Sequence, residues 1–266
     1  MSVNNTLRIT QTAATVATLM GFSMNEKADV PNDLVLDTAK TRLGQEPVQR
    51  ALLYNPDAVA LWLYQKYPQL FKEVIRKSCM TLPVYSVMPS VTPVCFASMY
   101  TGLNPVDHGI QAYVKPVLTV ETLFDAALAA GKKPIIISTE GDSISKIFLE
   151  REMDYIICAT HDECNEHALR IIAEDQHDIV VVYNGNYDST MHRWGPEAAE
   201  SLDQLVHNAK SFEMLSQAAM KAWAGKPSLA AYLPDHGCHE IDGQLGSHGL
   251  DMQEDMNIVH FYNFFK

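Results

Sequence analysis

Seven side chains stand out for what they could do: Thr92, Asp57, Asp188, His192, Asp235, His236 and His248. Thr92 opens the stretch Thr92–Gly102, in which Pro93 suits a first helical turn and Gly102 is placed to close it. Read alone, Thr92 is an N-cap residue. A hydroxyl at the positive end of a helix can also meet an anion held there. Asp57 follows a short apolar run at once, and Asp188 with His192 follows another after a few polar residues. Their i, i+4 spacing puts both side chains on one face of a helical turn. Asp235 and His236 sit directly behind a third apolar run, and His248 lies between Gly246 and Gly249. Any one of these is ordinary turn chemistry. Together, Asp and His in this number suit a hard-to-borderline divalent cation, whereas the five cysteines are not grouped as a thiolate site requires.

The elements that must position them alternate strand and helix. Strands are expected at 51–54, 82–87, 133–138, 154–158, 178–183, 228–233 and 257–262, and helices at 12–22, 59–67, 69–77, 118–130, 162–174 and 197–224. The segment 25–46 reads as polar and irregular, with Pro31 and Pro47 as breakers. Strands separated by helices of ten or more residues predict an α/β fold, a mostly parallel central sheet with helices on both faces. In such sheets ligands gather beyond the carboxyl ends of the strands, where Asp57, Asp188 and Asp235 fall. At 266 residues, 47% apolar and 20% charged, the chain is expected to form one domain, 1–266.

A net charge of −12 argues against nucleic acid or an anionic membrane as the main partner. It does not exclude a small anion, provided bound metal reverses the field locally. The apolar run 12–22 is too short to span a bilayer, and the few residues before it do not make a signal sequence. With an odd number of cysteines and no C-x-x-C pair, a cytoplasmic location is expected.

Taken in order, these residues resemble the alkaline phosphatase superfamily, and within it the type I phosphodiesterase/nucleotide pyrophosphatase branch. The resemblance runs from about Leu52 to Tyr262 and is densest at 89–110, 183–196 and 233–250. It implies an alkaline phosphatase-like fold and a phosphoryl hydrolase acting on phosphodiesters or nucleotide pyrophosphates. It also implies Thr92 as the nucleophile that becomes phosphorylated. Asp57, Asp235 and His236 match the ligands of one metal, and Asp188, His192 and His248 those of a second. The implied ions are two divalent metals, zinc or alternatively manganese. The implied partner is a small phosphate ester, in one version a nucleotide. His108 matches a structural position of the family's post-nucleophile loop and is left outside the site.

Other readings stay open. The same residues would serve a phosphomonoesterase, a phosphonate hydrolase, a phosphomutase, or a metal-binding protein without turnover. Cys95, one helical turn beyond Thr92, is a rival nucleophile, although no Cys-His-Asn arrangement accompanies it. His239 suits a supporting hydrogen bond, His161, His167 and His177 read as surface, and His260 as a satisfied strand histidine. No Lys or Arg occurs between Lys77 and Lys115, so a cation near Thr92 would have to fold in from elsewhere, Arg151 and Arg193 being candidates.

Overall fold

The structure, a computed structural model, describes residues 7–266. Residues 1–6, part of the stretch weighed above as a signal sequence, lie outside the described residues. The strands of the main sheet are β1 (Arg50–Pro56), β2 (Met80–Tyr85), β3 (Pro134–Thr139), β4 (Asp154–Cys158), β5 (Ile179–Asn184), β6 (Ser228–Tyr232) and β9 (Asn257–Phe265). Between the last two, β7 (His239–Ile241) and β8 (Leu245–Ser247) form a separate two-stranded hairpin. The main sheet runs β2-β9-β6-β1-β5-β3-β4. Strands β6, β1, β5, β3 and β4 are mutually parallel, while β9 pairs antiparallel with both β6 and β2.

Two apolar cores follow from the two-residue period of the buried strands. On one face Ala51, Leu53, Ile136, Val181 and Leu229 meet α1 (Gln11–Leu19), α2 (Asp33–Leu43), α5 (Thr92–Thr101), α7 (Leu123–Ala129) and α8 (Ile144–Ile147). On the other, Leu52, Ile135, Val180 and Ala230 meet α3 (Leu61–Lys66), α4 (Lys72–Arg76), α9 (His161–Glu174), α10 (Asn186–Trp194) and α11 (Ala199–Ala222). The fold is therefore the expected α/β sandwich. Two single-turn helices, α6 (Pro105–His108) and α12 (Gln253–Met256), complete the set. Among the described residues no helix is long and apolar enough to cross a membrane.

Several boundaries differ from the sequence reading, among them the helix expected at 69–77, which is a 3-10 turn (Pro68–Phe71) followed by α4, and three differ for a clear local reason. Segment 25–46 is not irregular throughout: Asn32 accepts from the N–H groups of Leu34 and Val35 and starts α2. The helix expected at 118–130 begins only at Leu123, because Thr122 and Asp125 form a reciprocal capping box. Thr92 is not an N-cap. Val91 holds that position, and Thr92 is the first residue inside α5, its hydroxyl making no capping bond. Gly102 closes α5 in the left-handed conformation (φ 72°) as expected.

His260, buried on β9, is the satisfied strand histidine expected. Its Nε2 faces the Pro234 carbonyl at 2.9 Å, and burial pushes its pKa down from 6.5 to about 4. Between those values the unfolded chain holds a proton that the folded chain lacks. The stability at stake is thus present above the unfolded pKa and lost as pH falls toward the folded one. The urea midpoint is expected to drop between roughly pH 6.5 and 4.5, and to drop less in His260→Gln. An identical drop in the two proteins would place the pH sensitivity on other groups.

Candidate active site

The carboxyl ends of β1, β5 and β6 lie side by side, and the loops that leave them carry the candidate residues. Asp57 directly follows β1; its N–H donates to Asn184 at the end of β5 (3.0 Å), which ties the two strand ends together. Asp235 and His236 follow β6, and Asn55 of β1 donates to the carbonyl of Leu233 (2.9 Å). Asp188 and His192 lie one turn apart on α10, as their spacing predicted. His248 comes from the segment beyond the β7–β8 hairpin, which packs onto α10. Gly246 is needed for this closeness: a Cβ there would stand 2.1 Å from the Met191 sulfur and 2.7 Å from the Met191 carbonyl oxygen of α10.

The seven side chains converge. Thr92 Oγ1 is 3.3 Å from His236 Nε2. His236 Nε2 is 3.2 Å from Asp57 Oδ1 and 3.4 Å from Asp235 Oδ2. Asp188 Oδ1 lies 3.4 Å from both His192 Nε2 and His248 Nε2, which are 3.1 Å from each other. The rings of His236 and His248 stack with centroids 4.0 Å apart, joining the two halves. Donor atoms fall into two close trios, Asp57–Asp235–His236 and Asp188–His236–His248. His236 belongs to both, which the sequence did not foretell, and His192 flanks the second.

Hydrogen bonding fixes which atoms face inward. His192 Nδ1 faces the Gly246 carbonyl (3.0 Å), His236 Nδ1 that of Gly237 (2.9 Å) and His248 Nδ1 that of Ser90 (2.8 Å). A carbonyl can only accept, so each Nδ1 carries a proton, and Nε2 is the ring atom each imidazole has left for an ion. On the acidic side, Asp57 Oδ1, Asp188 Oδ1 and Asp235 Oδ2 are buried with no hydrogen-bond partner. Backbone carbonyls behind ligating histidines and carboxylate oxygens left free are what a divalent cation requires of its surroundings. The residues present thus fit two such ions, and their mixed O/N character suits zinc or manganese.

The electrostatics point the same way. Burial, then the facing Asp57, push Asp235 well above the usual carboxylate range. Burial opposes charge on His236, yet Asp235 and Asp57 outweigh it and push that imidazole up to about 10. Burial would raise Asp188, but His192 and His248 hold it below its ordinary value. The pocket draws positive charge.

Cys95 is fully buried, its Sγ taken up by Ser86 Oγ (3.3 Å) with the Val87 carbonyl at 4.0 Å. Burial, then Asp235, push its thiol well above the usual range, so it lacks the thiolate a nucleophile needs. The start of α5 offers fewer free donors than a helix end usually does. Pro93 has no N–H, and those of Val94 and Cys95 both bond to the Val91 carbonyl (3.0 Å each), leaving the N–H of Thr92 itself. His108 bonds Ser98 Oγ (2.9 Å) and accepts from the N–H of Ile110, a structural role. His239 bonds Asp255 Oδ1 (2.7 Å), whose other oxygen accepts from the N–H of Leu250 (2.9 Å), bracing the His248 loop.

Two surface expectations fail. His177 is 9% exposed and bonded to Asp154 (2.7 Å), and His161 packs edge-on against Tyr183. Nor does Arg151 reach the site: its guanidinium is spent on Asp125 and on the carbonyls of Leu118 and Leu149. Instead Lys115, in the loop after α6, donates to the Gly141 carbonyl (2.8 Å) just beyond the end of β3. One contributor went unread in the sequence: the Tyr183 hydroxyl donates to Asp57 Oδ2. Its signal was only its place at the end of the most strand-like run.

Residues 58–140 match the family described as type I phosphodiesterase / nucleotide pyrophosphatase. Among solved structures, human ectonucleotide pyrophosphatase / phosphodiesterase 5 superposes with a TM-score of 0.64 at 12% identity, over 81% of this chain and 88% of that one. The murine protein of the same name gives 0.58 at 17% identity, over 73% of this chain and 59% of its own. A further structure of the murine protein, an inactive threonine-to-alanine form in complex with AMP, gives the same values. A DNA polymerase from Pyrococcus horikoshii is 26% identical over 155 residues, 54% of this chain but only 12% of its own length.

The geometry predicts about two equivalents of zinc or manganese per chain once the protein is loaded with metal. His248→Ala, which strips Nε2 from the second trio, should retain about one. Elemental analysis of dialysed protein checks both, and no stoichiometric ion in the parent would remove the basis for a metal centre.

Proposed function

We propose that this chain, a hydrolase of the type I phosphodiesterase/nucleotide pyrophosphatase branch on an alkaline phosphatase-like fold, cleaves phosphodiesters or nucleotide pyrophosphates through a phosphothreonine at Thr92. The observation that carries this reading is the Thr92 hydroxyl, free of any capping bond and 3.3 Å from His236 Nε2, at the edge of the two acidic trios. Asp57, Asp235 and His236 would hold one ion, and Asp188, His192 and His248 the other. When bound, such ions supply the charge that stabilises an alkoxide nucleophile and a departing oxygen.

The chain's own residues do the rest. Thr92 Oγ1 gives its proton to solvent and attacks phosphorus in line; the P–O bond to the leaving group breaks as the Oγ1–P bond forms, and the departing oxygen takes up a proton from solvent. Water then attacks the same phosphorus, breaks the Oγ1–P bond and restores the hydroxyl, so a diester yields an alcohol and a monoester. The N–H of Thr92 and the positive end of α5 face the charge that develops on the non-bridging oxygens. Near-complete burial of Thr92, at 3% exposure, limits stray water at the nucleophile. Every inward imidazole nitrogen is assigned to an ion, so this scheme has no histidine general base. The AMP held by the murine neighbour favours a nucleotide as the organic half of the substrate.

Thr92→Ala should retain fold and metal content yet lose turnover, while Thr92→Ser keeps a measurable part. Acid quenching during turnover should leave phosphorus on the Thr92 peptide of the parent alone. Full activity in Thr92→Ala would leave no covalent route.

Substrate choice follows from the cations. A monoester dianion needs more positive charge at its non-bridging oxygens than a diester does. With Arg151 committed elsewhere, Lys115 engaged by Gly141 and Arg193 laid over the Trp194 ring, the protein supplies little of it. A nitrophenyl nucleotide diester is expected to show at least tenfold higher kcat/KM than nitrophenyl phosphate, about 1.4 kcal/mol of discrimination. The reverse ratio would mean that a cation from this chain reaches the phosphate. Adding an acceptor alcohol to the same assay separates hydrolysis from phosphoryl transfer, since a transferase would divert product to the acceptor.

A further inference from the structure

The two carboxylate oxygens of Asp57 are treated differently by the fold. Oδ2 accepts the hydroxyl of Tyr183. Oδ1 has no hydrogen-bond partner and lies 3.2 Å from His236 Nε2. The β1–β5 register produces this pairing, because Asn55 stands opposite Tyr183 and the Asp57 N–H reaches the Asn184 carbonyl (3.0 Å). Space for the phenol is reserved. A Cβ on Gly185 would come within 2.7 Å of the hydroxyl and 3.2 Å of the ring. Phe96 of α5 (centroids 5.7 Å) and His161 of α9 (6.1 Å) meet the ring edge-on, so it is held from swinging away.

We propose that Tyr183 is a positioning residue for the first ion: its hydroxyl occupies Asp57 Oδ2 and leaves Oδ1 as a single donor held at a fixed angle. This rests on the two-ion reading given above. Phe96 lies one turn beyond Thr92 on the same helix, so one ring bears on both the nucleophile's helix and the ligand. Without the hydroxyl, Asp57 would present two equivalent free oxygens and could turn about its side-chain bond. The first ion would then bind a less ordered partner. The second trio shares His236 with the first but takes its carboxylate from Asp188, not Asp57, and that carboxylate would keep its geometry.

The test is metal titration of metal-free protein with zinc, read by competition against a chromophoric chelator. The parent should take up two ions. Tyr183→Phe, which keeps the ring and its packing, should lose tenfold or more of the affinity of one step, within the range seen when partners behind ligands are removed. The other step should stay within about twofold. Gly185→Ala, which crowds the hydroxyl from outside, should weaken the same step. On an Asp57→Ala background Tyr183→Phe should change nothing further, because the group it positions is gone. Parental affinity in both steps, equal loss in both, or a loss that persists on the Asp57→Ala background would each overturn the assignment. A parent that binds no zinc would overturn the two-ion reading and this assignment together, whereas two ions in the parent and an unchanged variant would overturn the assignment alone.

Discussion

Asp57 and Asp235 are buried together at the ends of two adjacent parallel strands, and neither has a Lys or Arg partner among the described residues. Withdrawing a carboxylate from water costs several kcal/mol unless charge and hydrogen bonds compensate. Here one oxygen of each is compensated, Asp57 Oδ2 by Tyr183 and Asp235 Oδ1 by the N–H of Ala58 (3.4 Å). The other oxygen of each has no hydrogen-bond partner and faces His236. An imidazole pushed toward protonation is the protein's own partial remedy; a divalent cation is the fuller one. The main-chain carbonyls behind His192, His236 and His248 keep three Nε2 atoms available for it. The charge conflict, unfavourable to a metal-free fold, is therefore the feature around which the strand ends, the hairpin and α10 are assembled.

Thr92 illustrates how one residue's shift along a helix changes chemistry. As an N-cap its hydroxyl would accept from the backbone of the next turn and be held there. One position further in, with Val91 as the cap and Pro93 following, the hydroxyl has no backbone partner and is free to face His236. The same arrangement ties up the N–H groups of Val94 and Cys95 on the Val91 carbonyl. Under the proposed mechanism, oxyanion binding by the peptide backbone at this helix start would be narrowed to the N–H of Thr92, and more of that work would fall to charge held by the trios.

How much of this was legible in the sequence depended on range. The buried strands announced themselves through apolar runs such as 178–183, and the parallel sheet followed from the helices between them. Asp57, Asp235 and His236 could be placed at strand ends because the ends were visible. What escaped was decided by single side chains or by distant contacts. Asn32 starting α2 inside a polar segment is one hydrogen-bonding choice that composition does not show. The sharing of His236 between both trios depends on how β6 exits beside β1 and on the stacking of His248, residues far apart in the chain. Tyr183 looked like one more apolar strand residue, since its hydroxyl matters only across the β1–β5 register.

The acidic character of the chain bears on how an anionic substrate would be met. With a net charge of −12, the distant field opposes a phosphate ester. Long-range steering therefore does not bring substrate in, and attraction has to act within a Debye length, about 8–10 Å at ordinary ionic strength. At the start of α5 the backbone leaves one donor, the N–H of Thr92, while Arg151 is committed to Asp125 and Arg193 lies over the Trp194 ring. With each Nδ1 spent on a carbonyl, the imidazoles have only Nε2 to offer an ion. A pocket lined by Asp57, Asp188 and Asp235 opposes a phosphate. It can hold one only after its carboxylates have themselves been neutralised, so cation binding and substrate binding are coupled steps in which the first creates the field for the second.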